Sequence, residues 1–139
     1  MKLLIYAVLT VLGLTSAALK NTLPGKELEK QLIGKWKYTG QSGGTTGRSE
    51  SAKPTKVSTI EFKEGGKYVR YTNGEPMFQG RYQLSKAKSI HTGKVDNAII
   101  FDPKVNSAET GNILTITGDT LLLADNFSDG YTAGYVRIN

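Results

Sequence analysis

The chain has no cysteine. A disulfide framework is excluded, and with it the usual support of small exported domains. A lipid anchor built on a cysteine is excluded too. Histidine is nearly absent: His91 stands alone, with no acidic residue close before Asp96. One imidazole without a second His or a Cys does not build a zinc site, so no metal and no cofactor are expected. No run of five or more basic residues occurs, and no aromatic-basic strand motif, so nucleic acid is not an expected partner. Gly-Lys-Ser/Thr is missing after the glycine-rich stretches, which removes a phosphate-binding loop. The formal charge of +6 is moderate and dispersed. It suits solubility and weak attraction to anionic surfaces.

Long apolar runs are also scarce. One occurs, Leu3 to Leu14, behind Lys2 and ahead of Thr15-Ser16-Ala17-Ala18. A basic start, a short apolar run and small residues read as a secretory signal peptide over 1–18. The run is short for a membrane span. Residues 19–139 are then one domain, secreted or periplasmic, monomeric, and with no membrane span of its own.

Pro24 and the spacing of Leu28, Leu32 and Ile33 predict a short helix over 25–33. After Gly34 the period changes to two. Strands are expected at Lys35–Thr39, Val57–Lys63, Lys67–Thr72, Met77–Leu84, Ala98–Phe101, Ile113–Thr117, Leu121–Ala124 and Ala133–Ile138. Gly65-Gly66, Asn73-Gly74 and Gly118-Asp119 supply hairpin turns. Gly40–Lys56, Ser85–Asn97 and Asp102–Asn112 read as long connections, the first as a mobile lid. These elements make an all-β, eight-stranded antiparallel up-and-down barrel with a helix closing one end. An even strand count puts Trp36, the one tryptophan, and Arg137 at the same barrel end. An Arg can stack on an indole there, beside a Gly that lets the chain pass closely. Gly34, Trp36 and Arg137 are therefore the expected closure.

With Leu32-Ile33-Gly34-Lys35-Trp36, an aromatic-rich meander and the final Tyr135-Val136-Arg137-Ile138, the chain resembles the lipocalins, within the calycin superfamily. It is most similar to small exported bacterial lipocalin-like domains. Phe62 to Tyr68, Gly80-Arg81-Tyr82 and Leu114 to Leu123 also look like those domains. The resemblance implies non-covalent binding of a small apolar or amphipathic molecule. Its expected lining is Tyr38, Phe62, Tyr71, Phe78, Tyr82, Phe101, Leu123 and Tyr135. Eight strands also leave an interior that side chains can fill, so an open pocket and a packed barrel stand level. Arg48 and Lys56 near the mouth would attract a carboxylate head group. A filled barrel would instead act through its surface, as an envelope protein-protein module. Lys86, Lys88, His91, Lys94 and Arg48, Lys53, Lys56 are the contact regions for that alternative.

An enzyme is not expected. Gly40-Gln41-Ser42-Gly43-Gly44 fits G-x-S-x-G, but the nucleophile elbow needs a helix after its Ser. Gly43-Gly44-Thr45-Thr46-Gly47 is a poor helix former. Asp125, Asn126 and Asp129-Gly130 lack the spacing and bidentate Glu of a calcium loop. Asn126-Phe127-Ser128 has the pattern of a glycosylation sequon.

Overall fold

The computed structural model describes residues 24–106 and 111–139. The expected leader at 1–18, the expected start near Leu19 and part of the Asp102–Asn112 connection lie outside them. The described residues form helix α1 (Pro24–Leu32) and nine strands: β1 (Gly34–Gly43), β2 (Arg48–Ser51), β3 (Ser58–Lys63), β4 (Lys67–Thr72), β5 (Glu75–Lys88), β6 (Val95–Phe101), β7 (Asn112–Thr117), β8 (Thr120–Asp125) and β9 (Tyr131–Ile138). Every ladder is antiparallel, and β1 pairs with β9 to close the sheet. Eight strands make the ring. The extra one, β2, pairs only with β1.

Two connections need correcting. Gly40–Lys56 is not a loose lid. Gly40–Gly43 continues β1 between β2 and β9, and a turn at 44–47 leads into β2. The glycines serve close backbone approach: a Cβ at Gly40 would meet the Glu50 carbonyl at 2.3 Å. Gly40 also marks a register shift in the β1–β9 ladder, and its φ of 145° suits glycine. Ser42 consequently sits in a ladder, opposite Ser49 and Thr132, and not on an elbow. The second correction concerns Ser85–Asn97. It is mostly the arms of the β5–β6 hairpin, with only 89–94 as its turn.

Asn73-Gly74 forms the expected two-residue turn, with φ of 51° and 79°. Its Asn73 side chain also accepts a hydrogen bond from Val57 N–H at 2.9 Å, fixing the start of β3.

The closed end joins α1 and the start of β1 to the far end of the sequence in β9. Trp36 and Arg137 are register partners across β1 and β9, and the guanidinium lies 4.2 Å from the indole centroid. Trp36 Nε1–H donates to the Leu32 carbonyl at 2.8 Å. Arg137 donates to the Ile33 carbonyl at 2.9 Å and also to the Gln31 carbonyl. The barrel thus satisfies the carbonyls that a helix C-terminus leaves bare. Leu28 and Leu32 are buried on the barrel side of α1.

The core above this closure is solid. Trp36, Ile60, Phe62, Tyr68, Tyr82, Ile99, Leu114, Leu121, Leu123 and Tyr135 form one buried cluster. The Phe62 ring meets Tyr82 at 5.3 Å and Phe101 at 6.2 Å, and Phe101 meets Tyr68 at 5.0 Å. A smaller apolar group lies on the other face of the wall. Ala98 and Ile113 are register partners and both buried, with Ile100 two residues along β6. The β5–β6 tip is tied to the β8–β9 turn: Asn126 accepts from Ile90 N–H and donates to the Lys88 carbonyl.

Candidate functional site

The space that remains is at the end opposite α1. Alternation and register put Trp36 and Tyr38 of β1, Ser58 and Ile60 of β3, and Arg70 and Thr72 of β4 on the interior face. Tyr135 joins them from β9, opposite Tyr38. All of these but Trp36, which lies deeper, line an open-mouthed cavity of about 250 Å³, with Lys56 on its rim and Thr59 and Tyr71 bordering it. The volume falls just under the roughly 300 Å³ at which small-molecule pockets begin. Ile60 is buried at its floor. Tyr38 and Tyr135 form one wall, their rings 5.6 Å apart and edge to face. Burial, then the neighbouring Tyr135, raise the Tyr38 phenol pKa. Two larger depressions carry less chemistry. One, of about 380 Å³, is a groove between α1 and the Gly65-Gly66 turn; the other, of about 470 Å³, is a surface facet at Met77 and Phe78.

Arg70 is the unusual member. It leaves β4 two residues after buried Tyr68, and its guanidinium lies 5.6 Å from the Tyr68 centroid and 5.1 Å from that of Phe101. Among the described residues no carboxylate is within ion-pair distance of it; the ion pairs there are Lys63–Glu61 and Arg137–Asp119. Asp102 is engaged elsewhere: its carboxylate accepts from Tyr68 Oη–H at 2.7 Å and from Arg81 N–H at 3.2 Å. Burial and this hydrogen bond push the Tyr68 pKa to about 12, so the phenol stays neutral.

The expected lining divides. Tyr38 and Tyr135 line the cavity. Phe62, Tyr82, Phe101 and Leu123 belong to the packed interior, too deep to line it. The Tyr82 hydroxyl reaches the Lys63 carbonyl at 3.1 Å, towards the closed end. Phe78 is 53% exposed and lies against Tyr68 at the edge of the opening. Tyr71 borders the cavity as well, but its side chain is on the outer wall. There its hydroxyl donates to Glu61 at 2.9 Å and Lys35 lies over its ring. The β4 alternation explains this: Tyr68 and Arg70 point in, so Tyr71 points out.

Of the two basic residues expected at the mouth, Lys56 borders it, and Arg48 is on β2 away from the lining. Sequence reasoning missed Arg70. Its signal was available, because Arg70 is in phase with Tyr68 and opposite Ile60.

The remaining motifs have structural work. Asn126 holds the β5–β6 tip through both ends of its amide. Asp125 accepts from Asn112 and from Tyr131 N–H. His91 Nε2 is 3.1 Å from the Asp125 carbonyl oxygen. No group of three potential metal ligands occurs among the described residues. Nor is any of their helices long and apolar enough to cross a membrane.

Comparison with protein-family models, with curated proteins and with solved structures returned no match.

Proposed function

We propose that the protein is an exported, lipocalin-like binding protein that takes a small amphipathic molecule non-covalently in the mouth of its barrel, without catalysis. One observation carries this: the filled interior stops at Ile60, and above it lies a cavity of about 250 Å³ walled by Tyr38 and Tyr135. Aromatic walls give a ligand apolar area, and the hydroxyls of Ser58 and Thr72 give it hydrogen bonds. The volume selects a compact molecule. An acyl chain has no channel to enter, because the aromatic core occupies the barrel below.

Native mass spectrometry of protein purified from its own host tests the reading. A retained small molecule is expected, and it should be lost in Ser58→Trp, which fills the mouth. Recovery of ligand-free protein that also binds no member of a fragment library would end the proposal.

A second reading has its own observation. Met77 and Phe78 are exposed on the stretch of β5 that precedes its pairing with β6, where they border a surface depression with Val69. Exposed apolar side chains grouped in this way suit an envelope protein partner. A pull-down that recovers a stoichiometric partner from wild type but not from Phe78→Glu would favour it over ligand binding.

A further inference from the structure

We propose that Arg70 makes the mouth of the barrel an oxyanion site. The molecule it takes is a compact one whose carboxylate or phosphate enters first and lies against the Arg70 guanidinium, with Lys56 at the rim. This rests on the mouth-binding reading above and adds the chemical class.

A guanidinium drawn out of water costs free energy unless it is paired and hydrogen-bonded. Arg70 is half-buried on the interior face, and its described surroundings supply two aromatic faces and the Tyr68 hydroxyl, whose pKa it acts to lower, but no ion-paired carboxylate. Aromatic faces hold the plane of the guanidinium and leave its N–H edge for a partner. Of the acids around the mouth, Glu50 acts on the Tyr38 phenol from exposed β2, and Asp102 and Glu61 are committed. Asp102 accepts from Tyr68 and Arg81 N–H, and Glu61 is outside the barrel with Tyr71 and Lys63. Tyr68 stays protonated, so no phenolate supplies the missing charge.

The rest of the lining agrees. Lys56 adds a second cation, and Ser58 and Thr72 flank Arg70 with hydroxyls. Among the described residues no carboxylate lines the cavity. A planar N–H fork facing an opening bordered by hydroxyls matches the geometry of a carboxylate or phosphate. The aromatic pair Tyr38–Tyr135 then covers the organic part of the molecule.

Three probes of one shape test this by calorimetric titration at low salt: phenylacetate, phenyl phosphate and neutral 2-phenylethanol. A hydrogen bond to a charged group contributes about 1.5–3 kcal/mol, so the better anion should bind at least about tenfold tighter than the alcohol. Whichever anion binds tighter identifies the head group. Arg70→Met should abolish the advantage while the neutral probe still binds, and Arg70→Lys should keep part of it. Lys56→Gln should weaken the salt dependence of anion binding. The wild-type comparison decides alone if the Arg70 variants do not fold. Equal affinity for all three probes would overturn the oxyanion site and leave mouth binding standing. No binding of any probe, with no shift of the Ser58 and Thr72 amide resonances, would overturn both.

Discussion

Arg137→Met should cost about 3 kcal/mol of folding stability, more than a surface arginine normally contributes. The figure comes from what the guanidinium does. It caps the last turn of α1 by donating to the Gln31 and Ile33 carbonyls, while covering the Trp36 ring at 4.2 Å. Hydrogen bonds from a charged donor contribute about 1.5–3 kcal/mol each, and a cation–π contact about 0.5–2 kcal/mol. The contributions share one side chain and overlap, and the group keeps some solvent, so about half their sum is expected. Methionine retains the apolar stem over the indole, which isolates the polar part of the loss. Arg137→Lys keeps the charge without the fork and should lose about half as much. Asp119→Asn should change stability by less than about 0.5 kcal/mol, because the carboxylate is 85% exposed at 3.7 Å from Nε. Urea unfolding followed by circular dichroism and by Trp36 emission gives all three values. An Arg137→Met curve within about 0.5 kcal/mol of wild type would refute closure by this residue.

Gly34→Ala should cost about 2 kcal/mol in the same assay, because Gly34 has a φ of 130° and its Cβ would come 2.9 Å from Arg137 Nη1. Tyrosinate absorbance should show Tyr68 and Tyr82 ionising only near pH 12, held neutral chiefly by burial, with the Asp102 hydrogen bond adding at Tyr68 and the Glu29 charge at Tyr82. The unfolded chain loses those protons around the ordinary 10.0, so their contribution is whole below that pH and should be lost as pH rises from 10.0 to about 12. A stability plateau through that interval would contradict it. Asn126→Ala should release the β5–β6 tip and speed amide exchange at Ile90 by at least about tenfold, reflecting a lost hydrogen bond of about 1–2 kcal/mol. Unchanged exchange would show that the tip is held by something else.

The ring itself was legible because each of its eight strands buries its inward face, and only β6 and β7 bury residues on the other face as well. Period-two alternation reports burial, and Trp36, Ile60, Tyr82, Ile99, Leu114, Leu121 and Tyr135 all carry it. Where burial does not drive pairing, the pattern is silent. Arg48-Ser49-Glu50-Ser51 is exposed on both faces, and β2 forms through backbone pairing alone. The glycines at 40 and 43, which suggested a flexible loop, allow three backbones to approach. The arms of the β5–β6 hairpin were hidden for the same reason: Lys86, Lys88 and Val95 are exposed, so composition suggested a loop. Closure by Gly34, Trp36 and Arg137 was legible from residue type and strand parity together, since an even ring returns the last strand to the end where the first began.

The site was harder to see because a row of inward aromatics encodes two outcomes. Whether Phe62, Tyr82 and Phe101 line a void or fill it depends on how closely their rings approach, and alternation says nothing of that. At 5.3 and 6.2 Å the rings pack on each other. Each such contact favours the filled state by about 0.5–1.5 kcal/mol beyond area burial. The packing runs as far as the large residues do. On β3 and β4 they give way above Ile60 and Tyr68 to Ser58, Arg70 and Thr72, where small or charged side chains replace rings. The cavity opens at that change. Its position is therefore a property of sequence order along two strands: the last apolar layer sets the floor, and the first polar layer sets what the floor can receive. On the proposed reading, a charged residue in that layer, set beside the rings of Tyr68 and Phe101, gives the leftover space a preferred sign of charge.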